Sequence, residues 1–210
     1  MIKYWIEHYD KFMVGLIEHL QLTVITVFIS IIISLLITLL IRKYKRVQII
    51  VNGIFSGLYS IPSLALFAML IPFTGLGLET AVIVLVIYNQ YILVRTNIAG
   101  LDQVDSHIIE AAKGMGMTDF QILYKVQFPL ALPIIFGGIR LATISTISIG
   151  TIAAGIGAGG LGRLLFEGLR QMNQAKVVGG TILVIILSIS IGRIFEIIEN
   201  NLKKNYGLKS

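Results

Sequence analysis

A chain of 210 residues ordinarily folds as one or two water-soluble domains, but 56% of these residues are hydrophobic and only 13% charged, against roughly a quarter charged in an average globular protein. A mean hydropathy of +0.87 demands more apolar cover than one core supplies, and lipid supplies it. The net charge of +6 sits at the ends of apolar runs, which points to a membrane rather than nucleic acid, and the absence of cysteine excludes a disulfide framework, a thiolate zinc site and a cysteine nucleophile.

In chain order, residues 1–19 read as an N-terminal amphipathic helix. Trp5, Ile6, Tyr9, Phe12, Met13, Leu16 and Ile17 recur at helical spacing between Lys3, Glu7, Asp10, Lys11 and Glu18. Such a helix either lies in the membrane interface or packs on the bundle; the acidic residues break any signal-peptide core. Five apolar segments then approach the length of about 20 residues that crosses a hydrocarbon core. They are residues 20–41, 49–73 (interrupted by Gly53, Gly57, Pro62 and Pro72), a short 80–94, 130–154 containing Arg140, and 177–198 containing Arg193 and Glu196. The expected permease domain is 20–198, with a tail at 199–210.

Five crossings place the termini on opposite sides. The Arg42–Arg46 cluster, Arg95, Lys113, Lys125 and the C-terminal lysines share one side, which predicts the N-terminus outside and the C-terminus inside. On that count residues 95–129 form a long cytoplasmic segment. Asp105 or Ser106 can cap a short helix through about Lys113, ended by Gly114-Met115-Gly116. Thr118-Asp119-Phe120-Gln121 supplies a capping box for a second helix, with Phe120, Leu123, Tyr124 and Phe128 on an apolar stripe and Pro129 at its end. The fold class expected is therefore all-α integral membrane: five transmembrane helices, the N-terminal helix and two short cytoplasmic helices.

The elbow carries a specific resemblance. Glu110-Ala111-Ala112, Gly116 and Val126-Gln127-Phe128-Pro129 stand at the spacing of the EAA signature of bacterial ABC importer permeases, with Val126 and Phe128 where Ile and Leu are usual. The resemblance implies a type I importer fold in which Glu110, Ala111, Ala112, Gly114, Gly116, Met117 and Pro129 couple to an ATPase subunit. Small alanines allow close approach, and a glycine allows the sharp turn. The stretches YSIPSLAL (59–66), GMGMT (114–118), PLALP (129–133) and GIGAGGLG (155–162) are similar to the osmoprotectant branch of that family. That branch implies glycine betaine, carnitine or choline as cargo. It also implies a second permease subunit, identical or paralogous, two ATPase subunits binding ATP and Mg, an extracellular solute-binding protein, and residence in the bacterial cytoplasmic membrane. Asn89-Gln90-Tyr91 departs from the expected apolar or proline-containing stretch.

Other motifs carry less. Gly155-x-Gly157-x-x-Gly160 formally matches a dinucleotide fingerprint, but it follows an apolar helix and lacks the acidic residue about 20 positions on. Helix packing or an extracellular gate is the reading retained for it. No phosphate-binding GxxxxGK[ST] occurs, so no nucleotide cofactor and no catalysis are expected on this chain, and His8, His19 and His107 are too scattered to suggest a metal site. Pro62, with Ser60 and Ser63 beside it, predicts a kink that is either a pathway hinge or a tolerated proline. Tyr59, Tyr88 and Tyr91 either pack or face a quaternary ammonium. Arg140 is expected to serve the pathway or to brace its helix, and Arg193 with Glu196 to form an ion pair. A methionine, other amino-acid or ergothioneine importer is the alternative cargo reading. A secondary transporter predicts midplane ionisable groups and an internal repeat, which the sequence lacks.

Overall fold

The computed structural model describes residues 1–205. Its elements are α1 (Ile2–Glu7), α2 (Tyr9–Ile41), α3 (Lys45–Ser60), α4 (Ser63–Thr74), α5 (Leu78–Asp102), α6 (Ser106–Gly114), α7 (Asp119–Ile122), α8 (Phe128–Ala153), α9 (Leu161–Arg170) and α10 (Gln174–Asn205). Among the described residues there is no strand. Four helical stretches are long and apolar enough to cross a membrane, and α3 with α4 reach that length and apolarity only as a pair, bent by 97° between them.

Residues 1–19 do not form one separate helix. The chain breaks at His8, and α2 then runs 33 residues without interruption, so residues 9–19 are the first turns of the first span rather than a separate helix. At 1.5 Å per residue α2 is roughly 50 Å long, well beyond a hydrocarbon core of about 30 Å. The packed alternative holds for these turns. Phe12, Gly15 and His19 are buried, and the Trp5 indole donates to the Ala175 carbonyl at 2.7 Å, tying α1 to α10.

The packing face of α2 is made of small polar residues. Thr23, Thr26, Ser30, Ser34 and Thr38 are buried, while Val24, Ile25, Phe28, Ile32, Ile33 and Leu36 point outward. Small hydroxyl side chains let membrane helices approach closely and return their own hydrogen bonds to the preceding turn. Thr23 donates to His19 O, Ser30 to Thr26 O and Thr38 to Ser34 O. Against this face lies the central helix α5, with α8 behind it; Val27, Leu93, Ala131, Ile135 and Ala142 form the core between them.

Two further boundaries move. The third span is α5, 25 residues long rather than a short 80–94, so Arg95 stands about two turns inside a helix rather than at the start of a loop. The second coupling helix does not end at Pro129. α7 continues through a π-helical turn (Leu123–Gln127) into α8, a single helical run from Asp119 to Ile156. Proline lacks an N–H and its ring crowds the carbonyl four residues earlier. The wide turn, with Phe128 N–H on Leu123 O, absorbs both demands. At the C-terminus, α10 carries the first part of the expected tail as helix to Asn205. Residues 206–210 of that tail lie outside the described residues.

Candidate functional site

Chemistry-bearing residues concentrate at two places, an elbow at one end of the bundle and a bend in the second crossing. The elbow is built by local caps. Asp105 Oδ1 accepts the His107 N–H at 2.9 Å and starts α6. At its end Gly116 adopts φ +81°, its N–H bonds Lys113 O at 2.9 Å, and Met117 N–H reaches back to Ala112 O at 3.1 Å. This paired closure satisfies carbonyls that a helix end leaves free and needs a residue tolerant of left-handed backbone. Gly114, by contrast, is the last helical residue of α6, with open space around it. Thr118 and Gln121 then form the reciprocal capping box, at 2.9 and 3.3 Å.

Ala112 is buried against the body of the protein, whereas Glu110, Ala111, Gly114 and Gly116 are exposed. Ile108 and Met115 on the elbow are exposed as well, and so are Phe120 and Tyr124, which line an apolar recess with Leu35 and Leu39 of α2. Of the expected stripe, only Leu123 is buried. Pro129 lies away from the elbow, on the helix that leaves it. The loop after α2 grips the elbow through Lys43 Nζ, which pairs with Asp119 at 3.2 Å, and beside it Lys45 Nζ at the start of α3 pairs with Asp102 at the end of α5 at 2.5 Å. The Arg42–Arg46 cluster and the elbow thus occupy the same end of the bundle.

At the bend, Ile61 is extended (ψ 132°) and Pro62 opens α4. Ser60 Oγ donates to Gly57 O at 2.7 Å and Ser56 O at 3.1 Å, Leu58 O is taken by the Ile61 N–H at 3.3 Å, and Ser63 makes no side-chain cap. The Ile61 carbonyl is taken by Tyr88 Oη from α5 at 2.7 Å. The tyrosines converge there. Tyr59 meets Tyr88 edge-on, with ring centroids 5.6 Å apart, and Tyr91 at 4.9 Å with a 31° tilt. Arg95, one turn further along α5, donates to Tyr91 Oη at 2.9 Å.

The outward face of α3 beside this cluster carries Gly53, Ser56, Gly57 and Ser60. Ile49, Ile50 and Ile54 of α3 are exposed beside it, so it is a narrow stripe of small residues, unlike the outward faces of α2 and α10, where aliphatic residues such as Ile182, Ile185, Ile186 and Ile189 continue. An outward membrane face of glycine and serine suits protein or water better than acyl chains. Arg140 is remote from the bend; it faces Glu199 of α10 at 3.6 Å, and Glu199 also pairs with Lys203 at 2.8 Å. Bracing is therefore its observed geometry. Arg193 and Glu196 pair at 2.9 Å as expected.

Two arrangements escaped the sequence reading. Asn89 donates to Thr146 at 2.9 Å and to Ser30 at 3.2 Å, and Asn97 donates to Ser34 at 3.3 Å, so α5 is stitched to α2 and α8 inside the bundle. The hydroxyls recurring every three or four residues in α2 were a signal for this. At the end opposite the elbow, the glycine-rich turn is clamped: Glu18 accepts the Gly160 N–H at 2.8 Å and pairs with Arg163 at 3.3 Å. Gly160 packs so closely on His19 that a Cβ there would lie 2.8 Å from its ring nitrogen. Close packing therefore accounts for Gly159, Gly160 and Gly162, whereas Gly157 stands in open space at φ +87°. In the next helix, a hydrogen bond from Lys176, at 2.9 Å, holds the Glu167 carboxyl below its ordinary pKa, against the opposing effect of burial. Among the described residues, no cluster of three histidine or acidic side chains could hold a metal.

Comparison with known proteins agrees with this architecture. Residues 27–204 match the family described as binding-protein-dependent transport system inner membrane component. The chain is 33% identical over 189 residues to the carnitine transport permease protein OpuCB of Listeria monocytogenes, covering 90% of this chain and 87% of the relative. It is 34% identical over 182 residues to the glycine betaine/carnitine/choline transport system permease protein OpuCB of Bacillus subtilis, covering 87% and 84%. Among solved structures, an inward-facing form of the MetNI methionine ABC transporter superposes with a TM-score of 0.82 at 26% identity, covering 92% of this chain and 97% of the other.

Proposed function

The chain belongs to the binding-protein-dependent transport system inner membrane component family, the permease subunits of ABC importers, and on that premise we propose that its cargo is a quaternary ammonium osmoprotectant: glycine betaine, carnitine or choline. The relatives' named substrates support the cargo. One observation carries the mechanism. The elbow is capped at both ends, exposes Glu110, Ala111 and Met115, and runs into the bilayer through one continuous helix.

In this reading ATP and Mg are bound by two separate ATPase subunits, which seat the elbow through Glu110, Ala111 and the Gly114–Met117 turn. Closure of the ATPases displaces the elbow. The run from Asp119 to Ile156, with Pro129 beyond the π-turn, carries that displacement across the membrane. The glycine and serine face of α3 meets a second permease subunit, identical or paralogous, and the two enclose a pathway that includes Tyr59, Pro62 and Ser63. An extracellular binding protein delivers solute to the end that carries the clamped glycine turn. The N-terminus is outside and the C-terminus inside, supported by the basic cluster lying beside the elbow. Arg140 serves as a brace to Glu199.

A second cargo reading, ergothioneine or methionine, draws on a Helicobacter pylori ergothioneine permease/binding protein, 37% identical over 143 residues, and on the MetNI likeness. Uptake by proteoliposomes holding the permease, its ATPase and its binding protein separates these readings. ATP-dependent accumulation of labelled betaine, carnitine or choline is expected, and a Glu110→Lys, Gly116→Asp double variant that still assembles is expected to abolish it. Accumulation of methionine or ergothioneine alone would move the cargo. Uptake indifferent to ATP and to the variant would remove the importer mechanism.

A further inference from the structure

Resting on the proposed cargo, we infer that Tyr59, Tyr91 and Arg95 form a binding site in the permease itself for a zwitterion, a quaternary ammonium that also bears a carboxylate. Tyr88, Tyr91 and Arg95 stand at i, i+3 and i+7 of α5, on one helix face. Tyr59 joins them from α3, at the edge of the glycine and serine face where the crossing bends. Tyr88 is buried and its hydroxyl is spent on the Ile61 carbonyl, so it fixes the cluster rather than serving a ligand. Tyr59 remains 38% exposed. Its ring offers the negative π-face that draws an onium group too bulky and too methylated to accept hydrogen bonds.

Arg95 supplies the other half. It is an exposed arginine about two turns inside a membrane helix, and among the described residues no carboxylate pairs with it. A guanidinium in a span ordinarily faces a partner or a wet cavity. This one is oriented by a hydrogen bond to Tyr91 Oη and lies 5.9 Å from that ring's centroid. One bond to a phenol leaves most of its donors unused, and a guanidinium matches a carboxylate in two parallel hydrogen bonds. Aromatic face and arginine therefore stand about one helical turn apart, and a betaine carries its trimethylammonium and carboxylate a few bonds apart. A simple cation such as choline gains the aromatic contact but meets Arg95 as a like charge. The site favours glycine betaine and carnitine over choline.

The test measures ATP-driven uptake of glycine betaine and choline by proteoliposomes of the complete transporter, with Arg95→Gln, Arg95→Lys, Tyr59→Leu and Tyr59→Phe variants. Assembly and ATP hydrolysis are followed in parallel to identify misfolded variants. Arg95→Gln is expected to lower kcat/KM for betaine relative to choline about tenfold, the scale of a lost charge-assisted contact, and Arg95→Lys to retain part of the preference. Tyr59→Leu is expected to weaken both substrates and Tyr59→Phe neither. Betaine uptake in the wild type with equal effects of Arg95→Gln on the two substrates, or none, would overturn this site and leave the cargo reading standing. No wild-type uptake of betaine, choline or, assayed alongside them, carnitine would overturn the cargo reading and the site with it. To read the site apart from the binding protein, labelled betaine is bound to the purified permease–ATPase complex alone. Binding that Arg95→Gln weakens supports the site, and binding unchanged by it counts against the site.

Discussion

Gly114 and Gly116 stand two residues apart in one motif, yet they do different work. Gly116 holds φ +81° as the corner of the elbow, where a side chain costs roughly 1–2 kcal/mol. Gly114 is helical with nothing near it, and glycine inside a helix is worse than alanine by about 1 kcal/mol. Gly116→Ala is therefore expected to lower the melting temperature of the purified permease and to reduce coupled uptake, whereas Gly114→Ala leaves stability equal or higher. Equal effects of the two changes would show that the corner's handedness is unimportant. Glu167 gives a second prediction at this scale. Its bond from Lys176 holds the carboxyl below the ordinary value near 4.5. The pair thus adds stability that is fully present above the unfolded carboxylate's pKa and is lost as pH falls through the lower folded pKa. Melting curves taken across the acidic range should fall more steeply for the wild type than for Glu167→Gln; superimposable curves would remove the pair from the account.

Elements are held together by polar contacts that cross between helices. Lipid competes well with aliphatic side chains for an apolar helix face, so close approach and hydrogen bonds decide which helices pair. Asn89 joins α5 to both α2 and α8, but its partners Ser30 and Thr146 keep bonds to their own helices, to Thr26 O and Ala142 O. Asn89→Leu then strands no hydroxyl and should cost only about 0.6 kcal/mol, at most about 1.7. A thermal shift corresponding to several kcal/mol would mean that Asn89 carries an interaction beyond these bonds. The same logic explains why α2 keeps its aliphatic side chains outward and its serines and threonines inward, the reverse of a soluble amphipathic helix.

Across the whole molecule, the elbow has two routes into the bundle. One is the continuous α7–α8 helix. The other is Lys43, which binds Asp119 from the loop between α2 and α3, next to Lys45 at the start of α3, which binds Asp102 at the end of α5; together they link the elbow to the helix that bends at Pro62. Both ion pairs are exposed, so each contributes about 1 kcal/mol or less to stability; their expected importance is mechanical. Lys43→Asp should leave the melting temperature nearly unchanged and lower the solute accumulated per ATP hydrolysed. A Lys43→Asp, Asp119→Lys exchange should restore much of it. Failure of the exchange to restore coupling, measured as the ratio of uptake to hydrolysis, would leave α8 as the sole route.

The features legible in the sequence are those whose cause lies within a few residues. Asp105, Thr118 and Gln121 cap helices because a cap joins groups two or three positions apart, and twenty apolar residues span a bilayer whatever surrounds them. The EAA spacing was legible for the same reason. Boundaries failed where a local signal met a longer-range one: Pro129 reads as a stop, but the π-turn before it gives its ring room, and the apolar stretch at 49–73 reads as one crossing, but the chain turns at Ile61 and Tyr88 accepts the cost by bonding the freed carbonyl. The tertiary structure alone decided the rest. Tyr59, Tyr91 and Arg95 meet only because α3 packs on α5 up to the bend, and Lys43 finds Asp119 only because the two loops close the same end of the bundle. Periodicity tells which face of a helix is buried; which other helix covers that face depends on a sum of many weak contacts between residues far apart in the chain, and only the folded arrangement evaluates that sum.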